Sequence, residues 1–242
     1  VHSQIGGKMR TLEKQDLQWA LQRTPVPVLE LMKRRGTRLL AAGGFIRSII
    51  ANEKVNDIDL FSPSKEEAWD AARELENGNA KTIYTTDNAY SVRLKRGVLA
   101  QFIHRWTFNK PEDMLNSFDF TIACAAFWYN PFDGAWQSMV DDRFYADLAA
   151  KRLIYRVPVR NEDAGGSLLR VLKFYQRGYR IPLNSLGAVI ARLVNAVDEE
   201  KIGQFEGNHE QKLAKVLTAL LHEVDPAIDP EHIAHLPSDE EN

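Results

Sequence analysis

Five residues, Asp57-Ile58-Asp59-Leu60-Phe61, constrain this chain more than any other stretch. On a β-strand successive side chains leave opposite faces, so the two aspartates share one face while Ile58 and Leu60 enter a core. Two carboxylates about 7 Å apart on one strand face repel each other unless a cation sits between them. Hard divalent cations take carboxylate oxygen, and Mg²⁺ in phosphoryl transfer is held by a few carboxylates together with substrate phosphates. An isolated Asp-x-Asp is also common at solvent-facing strand ends, so its neighbours decide its meaning.

Upstream, residues 37–42 read as a strand that runs into Gly43-Gly44 and then a helix from Phe45 carrying Arg47. Glycines at a strand-to-helix turn let backbone approach a ligand, and the free N–H groups of a helix start attract anions. Arg47 adds a permanent cation suited to a triphosphate. Downstream come a helix over 64–76 with Ser64 as N-cap, then strands over 81–84, 89–94 and 98–104, the last two joined through Lys95-Arg96-Gly97. A short helix over 111–115 and a strand or buried segment over 120–128 follow. Two helices, 12–22 and 28–35, separated by Pro25 and Pro27, open the chain.

Gly165 and Gly166 mark the passage into an all-helical remainder. There Leu168, Leu172, Tyr175 and Tyr179 form an apolar stripe at helical spacing, and Arg170, Lys173 and Arg177 a basic one. Asn208 caps a last helix with Leu213, Val216, Leu217, Leu220 and Val224 on its apolar face. The reading is therefore α+β: a mixed sheet with flanking helices over 9–150, a helical part over 151–225, and a flexible acidic tail over 226–242. Residues 1–8 have no amphipathic pattern, and Met9 is a candidate native start.

Three segments then resemble one family. Gly43-Gly44-Phe45-Ile46-Arg47 with Asp57-Ile58-Asp59-Leu60 is similar to the Gly-Gly-x-Val-Arg-Asp … Asp-Ile-Asp-Leu signature of bacterial poly(A) polymerases and class II CCA-adding enzymes, in the DNA polymerase β superfamily. Asp119-Phe120-Thr121-Ile122-Ala123-Cys124-Ala125 resembles that family's Arg-Arg-Asp-Phe-Thr-Ile-Asn-Ala-Leu-Ala segment. Leu168-Leu169-Arg170-Val171-Leu172-Lys173-Phe174 resembles its Glu-Asp-Pro-Leu-Arg-Ile-Leu-Arg helix. The resemblance implies a polymerase β-like nucleotidyltransferase head. It implies Mg²⁺ or Mn²⁺ on Asp57 and Asp59, the catalytic pair, and an NTP held by Gly43, Gly44 and Arg47. Asp119 falls at the position associated with the nucleotide's sugar, and Arg170 and Lys173 fall on the helix that meets the incoming base. The implied reaction moves a nucleoside monophosphate to a hydroxyl, first of all an RNA 3′ end.

The departures from the pattern are specific. Ser48 stands where the family has an acid, Ser117-Phe118 where it has two arginines, and Ala123 where it has asparagine. Gly166-Ser167 replaces the Glu-Asp that pairs with the base-reading arginine, so base choice is left unassigned. Where superfamily members often carry a third carboxylate on a later strand, this chain offers Gln101. An acceptor on a protein or small molecule, or a non-catalytic nucleotide-binding relic, stays open beside the RNA reading.

Composition narrows the setting. With 242 residues, 44% apolar and 26% charged, the chain suits one domain or one domain with an appended helical part. Its net charge of −2 hides a divided distribution. Residues 151–195 hold nine Lys/Arg against two Asp/Glu, a net +7, and 196–242 hold three against twelve, a net −9. No apolar run reaches the ~18 residues of a membrane span, so no membrane partner is expected. The single Cys124 forms no intrachain disulfide, which points to a reducing, cytoplasmic setting, and its apolar neighbours mark it as a core residue. The six histidines show no zinc spacing, and Trp106, Trp128, Tyr129 and Trp136 read as core.

Overall fold

A computed structural model describes residues 8–79, 83–94, 98–158 and 164–222. The chain forms two compact units, Val1–Ala150 and Lys151–Asn242. In the first, the elements run β1 (Met9–Arg10), α1 (Lys14–Arg23), α2 (Val26–Arg35), β2 (Leu40–Ala42), α3 (Gly44–Ile50), β3 (Asp57–Phe61), α4 (Lys65–Asn79), β4 (Ile83–Thr85), β5 (Ala89–Arg93), β6 (Leu99–Ile103), α5 (Pro111–Asn116), β7 (Ala125–Asn130), β8 (Ala135–Asp141) and α6 (Phe144–Ala149). The second holds α7 (Ala164–Gln176), α8 (Leu183–Asn195), α9 (Glu199–Gly203) and α10 (His209–His222). The tail over 226–242, Val224 and the Lys95-Arg96-Gly97 link lie outside the described residues.

Among the described residues eight strands make one mixed sheet, ordered β1-β8-β7-β2-β3-β6-β5-β4. β3 and β6 run parallel, and the other neighbouring pairs are antiparallel. Ile58 and Leu60 are fully buried, as alternation along β3 requires. α4 buries Ala68, Ala71, Ala72 and Leu75, an i, i+3, i+4, i+7 stripe, and packs on β5, β6 and α2. On the aspartate face, Leu40, Ala42, Phe61, Ala126 and Trp128 join Met114, Leu115 and Cys124 in a core cluster roofed by α5. That layer covers the Phe61 end of β3 and leaves Asp57 and Asp59 half-buried.

Helix ends follow local chemistry. The Ser64 hydroxyl accepts the Glu67 N–H at 3.2 Å at the start of α4. Asn208 and Gln211 bond each other's backbone N–H at 2.9 and 3.0 Å, a capping box for α10. Pro27 does not separate the first two helices. It sits in the first turn of α2, where a missing N–H costs nothing. Cys124 is buried, its thiol directed at the Phe120 carbonyl at 3.2 Å.

Two expectations for α7 fail for one reason. Gly165 and Gly166 lie inside the helix, not before it, and the buried face is Ala164, Gly165, Gly166, Ser167, Leu169, Val171 and Phe174. Leu172 and Tyr175 are 49% and 56% exposed, while Tyr179 is buried beyond the helix end. A Cβ on Gly165 would run into the Leu220 carbonyl, so the small residues admit the α10 backbone and set the helix phase.

α2 and α4 are clasped by Arg34 and Arg35, which bond the two oxygens of Glu74 at 2.6 and 2.8 Å. Burial pushes the Glu74 carboxyl up, but the hydrogen bonds from the two arginines outweigh it and hold it below its ordinary value. A depressed folded pKa means stability that is full above the unfolded value of about 4.3 and lost as pH falls through the folded value. Glu74→Gln is therefore expected to cost under about 1 kcal/mol at pH 7, the pair being partly exposed, and nothing once the carboxyl is protonated. Urea denaturation at pH 7 and at pH 3 checks this, and an equal loss at both would contradict it.

Candidate active site

β2 delivers the chain to its sharpest turn. Gly43 has φ 82° and ψ −133°, a region that L side chains rarely adopt, and its N–H donates to the Ala125 carbonyl at 2.9 Å. The turn is thereby tied to the start of β7. Ala42 lies directly opposite Asp59 in the ladder, so the turn opens beside the aspartate pair. A Cβ on Gly43 would stand 3.9 Å from Asp59 Oδ2 and 3.8 Å from the Phe118 ring. Both are ordinary van der Waals distances, so the turn lies directly against the Asp59 carboxylate and the Phe118 ring. Gly43→Ala is expected to cost roughly 1–3 kcal/mol through backbone strain alone. A fall in melting temperature measures it, and an unchanged melt counts against the constrained turn.

α3 follows immediately but runs only seven residues, so its dipole adds little to anion attraction. The cation is Arg47, midway along α3 and 6% exposed. Its Nη2 donates to Ser48 Oγ at 2.9 Å, and its Nε lies 3.6 Å from Glu53 Oε2. A Cβ on Gly44 would meet Arg47 Nη2 at 3.5 Å, so the guanidinium lies against the glycine turn. Glu53, whose N–H donates to the Ser48 carbonyl at 2.7 Å, brings Arg47 a carboxylate, whereas the motif's acid would follow the arginine directly, where this chain has Ser48. Sequence reasoning missed Glu53 because it reaches Arg47 from the loop after the helix.

On β6, Gln101 is the ladder partner of Asp59 and faces the same way, with Ser91 of β5 next in the row. Among the described residues no three His, Cys, Asp or Glu side chains gather into a metal-ligating group. The carboxylates of this face are thus Asp57 and Asp59, with a neutral amide beside them. Two half-buried carboxylates on one strand face beside a glycine turn fit a hard divalent cation whose remaining ligands are phosphate oxygens and water.

Asp119 is 6% exposed and follows Phe118, whose ring packs edge-on to Phe61 at 5.9 Å. A 3₁₀ turn at Thr121–Ala123 then leads into β7. Thr121 Oγ1 donates to the fully buried Asp147 at 2.7 Å, and Arg143 Nε donates to the same oxygen at 3.3 Å. Asp141 accepts the Arg143 N–H at 2.9 Å where α6 begins. The structure so brings Gly43, Gly44, Arg47, Asp57 and Asp59 together, with Phe118 and Gln101 beside them. Arg170 and Lys173 lie on α7 of the second unit.

A family model described as "Gabija anti-defense 2 family protein" matches residues 11–151, the stretch that contains this whole constellation. The chain belongs to the Gabija anti-defense 2 family. The Gabija anti-defense 2 protein of Bacillus phage SPbetaL7 is 32% identical over 102 residues, covering 41% of this chain and 24% of that protein. Among solved structures, the Thermotoga maritima CCA-adding enzyme complexed with tRNA aligns over 86% of this chain and 50% of its own, with TM-score 0.55 and 21% identity. A CCA-adding enzyme with CTP aligns over 93% and 52%, with TM-score 0.56 and 22% identity. The chain thus spans about half the length of these structures and a quarter of the phage protein. This Gabija anti-defense 2 family member has the α+β nucleotidyltransferase fold of the CCA-adding enzymes, followed by further helices. Among its described residues no helix is long and apolar enough to cross a membrane.

Proposed function

We propose that this Gabija anti-defense 2 family protein is a divalent-metal-dependent nucleotidyltransferase that moves a nucleoside monophosphate from an NTP to an acceptor hydroxyl, and that the transfer counters Gabija defence. One observation carries the reading: Asp57 and Asp59 share a half-buried strand face, and the Gly43 turn runs against it, a Cβ there standing 3.9 Å from Asp59 Oδ2. In the reaction the acceptor oxygen bonds to the α-phosphorus, its proton passes to water, the bond to the bridging oxygen of the β-phosphate breaks, and pyrophosphate leaves with that electron pair. Asp57 and Asp59 would hold Mg²⁺ or Mn²⁺, which neutralises triphosphate charge and makes the acceptor hydroxyl easier to deprotonate. Gly43 and Gly44 admit the phosphates close to backbone, and Arg47, oriented by Glu53 and Ser48, contributes positive charge. Asp119 is assigned to the nucleotide's sugar, and Arg170 and Lys173 to its base and phosphates, by the motif resemblance.

The first acceptor is an RNA 3′ end. The CCA-adding enzymes that share the fold were solved with tRNA, CTP and ATP, which supports RNA and NTP as partner classes. The family description favours a second acceptor, a hydroxyl side chain on a protein of the Gabija system. A cytoplasmic site of action fits the single, buried Cys124.

The test incubates the chain with Mg²⁺, each α-labelled NTP, total RNA and Gabija proteins, beside the Asp57→Ala/Asp59→Ala double variant. Label entering RNA only with the parent supports the first acceptor, and label on protein supports the second. Nucleotide binding without transfer to any acceptor overturns the enzyme reading in favour of a binding relic.

A further inference from the structure

Between Ala164 and Val197 the sequence contains no Asp or Glu, while Arg170, Lys173, Arg177, Arg180 and Arg192 all fall in that stretch. The turn joining α7 to α8 gathers part of this charge. At its start Gly178 takes φ 86°, its N–H donates to the Tyr175 carbonyl at 3.0 Å, and Tyr179 N–H returns to the Phe174 carbonyl at 3.0 Å. Tyr179 is thereby fully buried, and Arg180 is carried out beside the first residues of the unit. Arg180 N–H donates to the Lys151 carbonyl and Leu153 N–H to the Arg180 carbonyl, each at 2.8 Å. Lys151, Arg152, Arg177 and Arg180 so converge on one turn.

Aromatic rings are interleaved with these cations. The Arg180 guanidinium lies 4.5 Å from the centre of the Tyr175 ring, and Tyr175 is 56% exposed. Lys151 Nζ lies 5.9 Å from the Tyr179 ring, and the Arg177 guanidinium 6.0 Å from the Phe174 ring. A helix C-terminus attracts cations, which accounts for Arg177. It does not account for Lys151 arriving from outside the helix, or for a large ring left in water with a guanidinium against it. Positive charge that tracks phosphates, next to a flat aromatic surface on which any base can stack, is the chemistry of single-strand binding. An acidic protein would use the charge and leave the ring idle.

We propose that the α7–α8 turn binds a single-stranded nucleic acid, with Lys151 and Arg180 on its phosphates and Tyr175 under a base. The proposal takes up the RNA acceptor of the function proposed above, and rests on it for RNA as the strand.

The experiment measures binding of a fluorescein-labelled, U-rich single-stranded RNA to the full chain by anisotropy across a salt series. Lys151→Glu/Arg180→Glu is expected to weaken binding about tenfold or more and to lower the log–log salt slope by about 1.4, some 0.7 for each phosphate that is no longer neutralised. Tyr175→Ala is expected to weaken it about tenfold and leave the slope unchanged, while Tyr175→Phe binds as the parent does. The control Lys201→Glu/Lys212→Glu carries the same charge change elsewhere in the unit. Equal weakening by control and test pairs overturns the proposal, as does absence of RNA binding. So does poly-glutamate competing as well as unlabelled RNA, which would make the turn a site for acidic protein. RNA binding with the expected sensitivities but without nucleotidyl transfer supports this surface and overturns the transferase reading alone.

Discussion

Asp59→Asn is expected to lower NTP-dependent transfer by roughly a thousandfold or more while leaving the melting temperature unchanged or raised, and Asp57→Asn is expected to do the same. The two carboxylates lie on one half-buried strand face, and among the described residues no third acid joins them. Their mutual repulsion costs stability in the absence of a cation, so removing one charge relieves it. In the proposed mechanism both act on the same bound ion, so the double variant is expected to be little worse than either single one. Single-turnover rates and thermal melts on the same samples give both readouts. A fall in stability that matches the fall in rate would make the pair a structural feature.

Gly165→Ala is expected to destabilise the helical unit by about 2 kcal/mol, because the new methyl group meets the Leu220 carbonyl, which is backbone and cannot rotate away. Better helix propensity offsets part of this, since alanine gains about 1 kcal/mol over glycine in a helix. Gly187→Ala, in α8, is the matched control. A Cβ there meets nothing within 4 Å, so propensity acts alone and the change is expected to stabilise. Opposite signs from the same substitution in two neighbouring helices separate close packing from propensity. Stabilisation by both would mean that α10 does not approach α7 as described.

These two results bear on what a sequence can convey. β3 is legible because its alternation is local: Ile58 and Leu60 go into the core, and the aspartates come out beside a glycine turn that needs a positive φ. The caps at Ser64 and Asn208 are legible for the same reason, each acting within one helical turn. β8 is not. Gln137 and Ser138 interrupt its apolar pattern, and the buried Ser138 hydroxyl accepts the Leu12 N–H from the far end of the chain, at 3.1 Å. The phase of α7 fails similarly. Leu172 and Tyr175 look like core until α10 arrives at the glycine side of the helix.

The candidate site divides along the same line. Gly43, Gly44, Asp57 and Asp59 sit on contiguous elements of one ladder, so spacing alone brings them together. Glu53 reaches Arg47 from a loop, and Thr121 is held by Asp147 through α6, contacts made only after the chain has folded. Neither partner leaves a local pattern to read. Gln101 is the reverse case: its place beside Asp59 is readable from strand pairing, and its neutral amide separates this site from a three-carboxylate one.

The central claim is nucleotidyl transfer at Asp57 and Asp59, and the most direct measurement compares α-labelled with γ-labelled NTP in the presence of Mg²⁺. The α-label is expected to become attached to the acceptor while the γ-label leaves in pyrophosphate, and both signals should vanish in Asp57→Ala/Asp59→Ala. Attachment of the γ-label, release of inorganic phosphate in place of pyrophosphate, or transfer that survives in the double variant would contradict it.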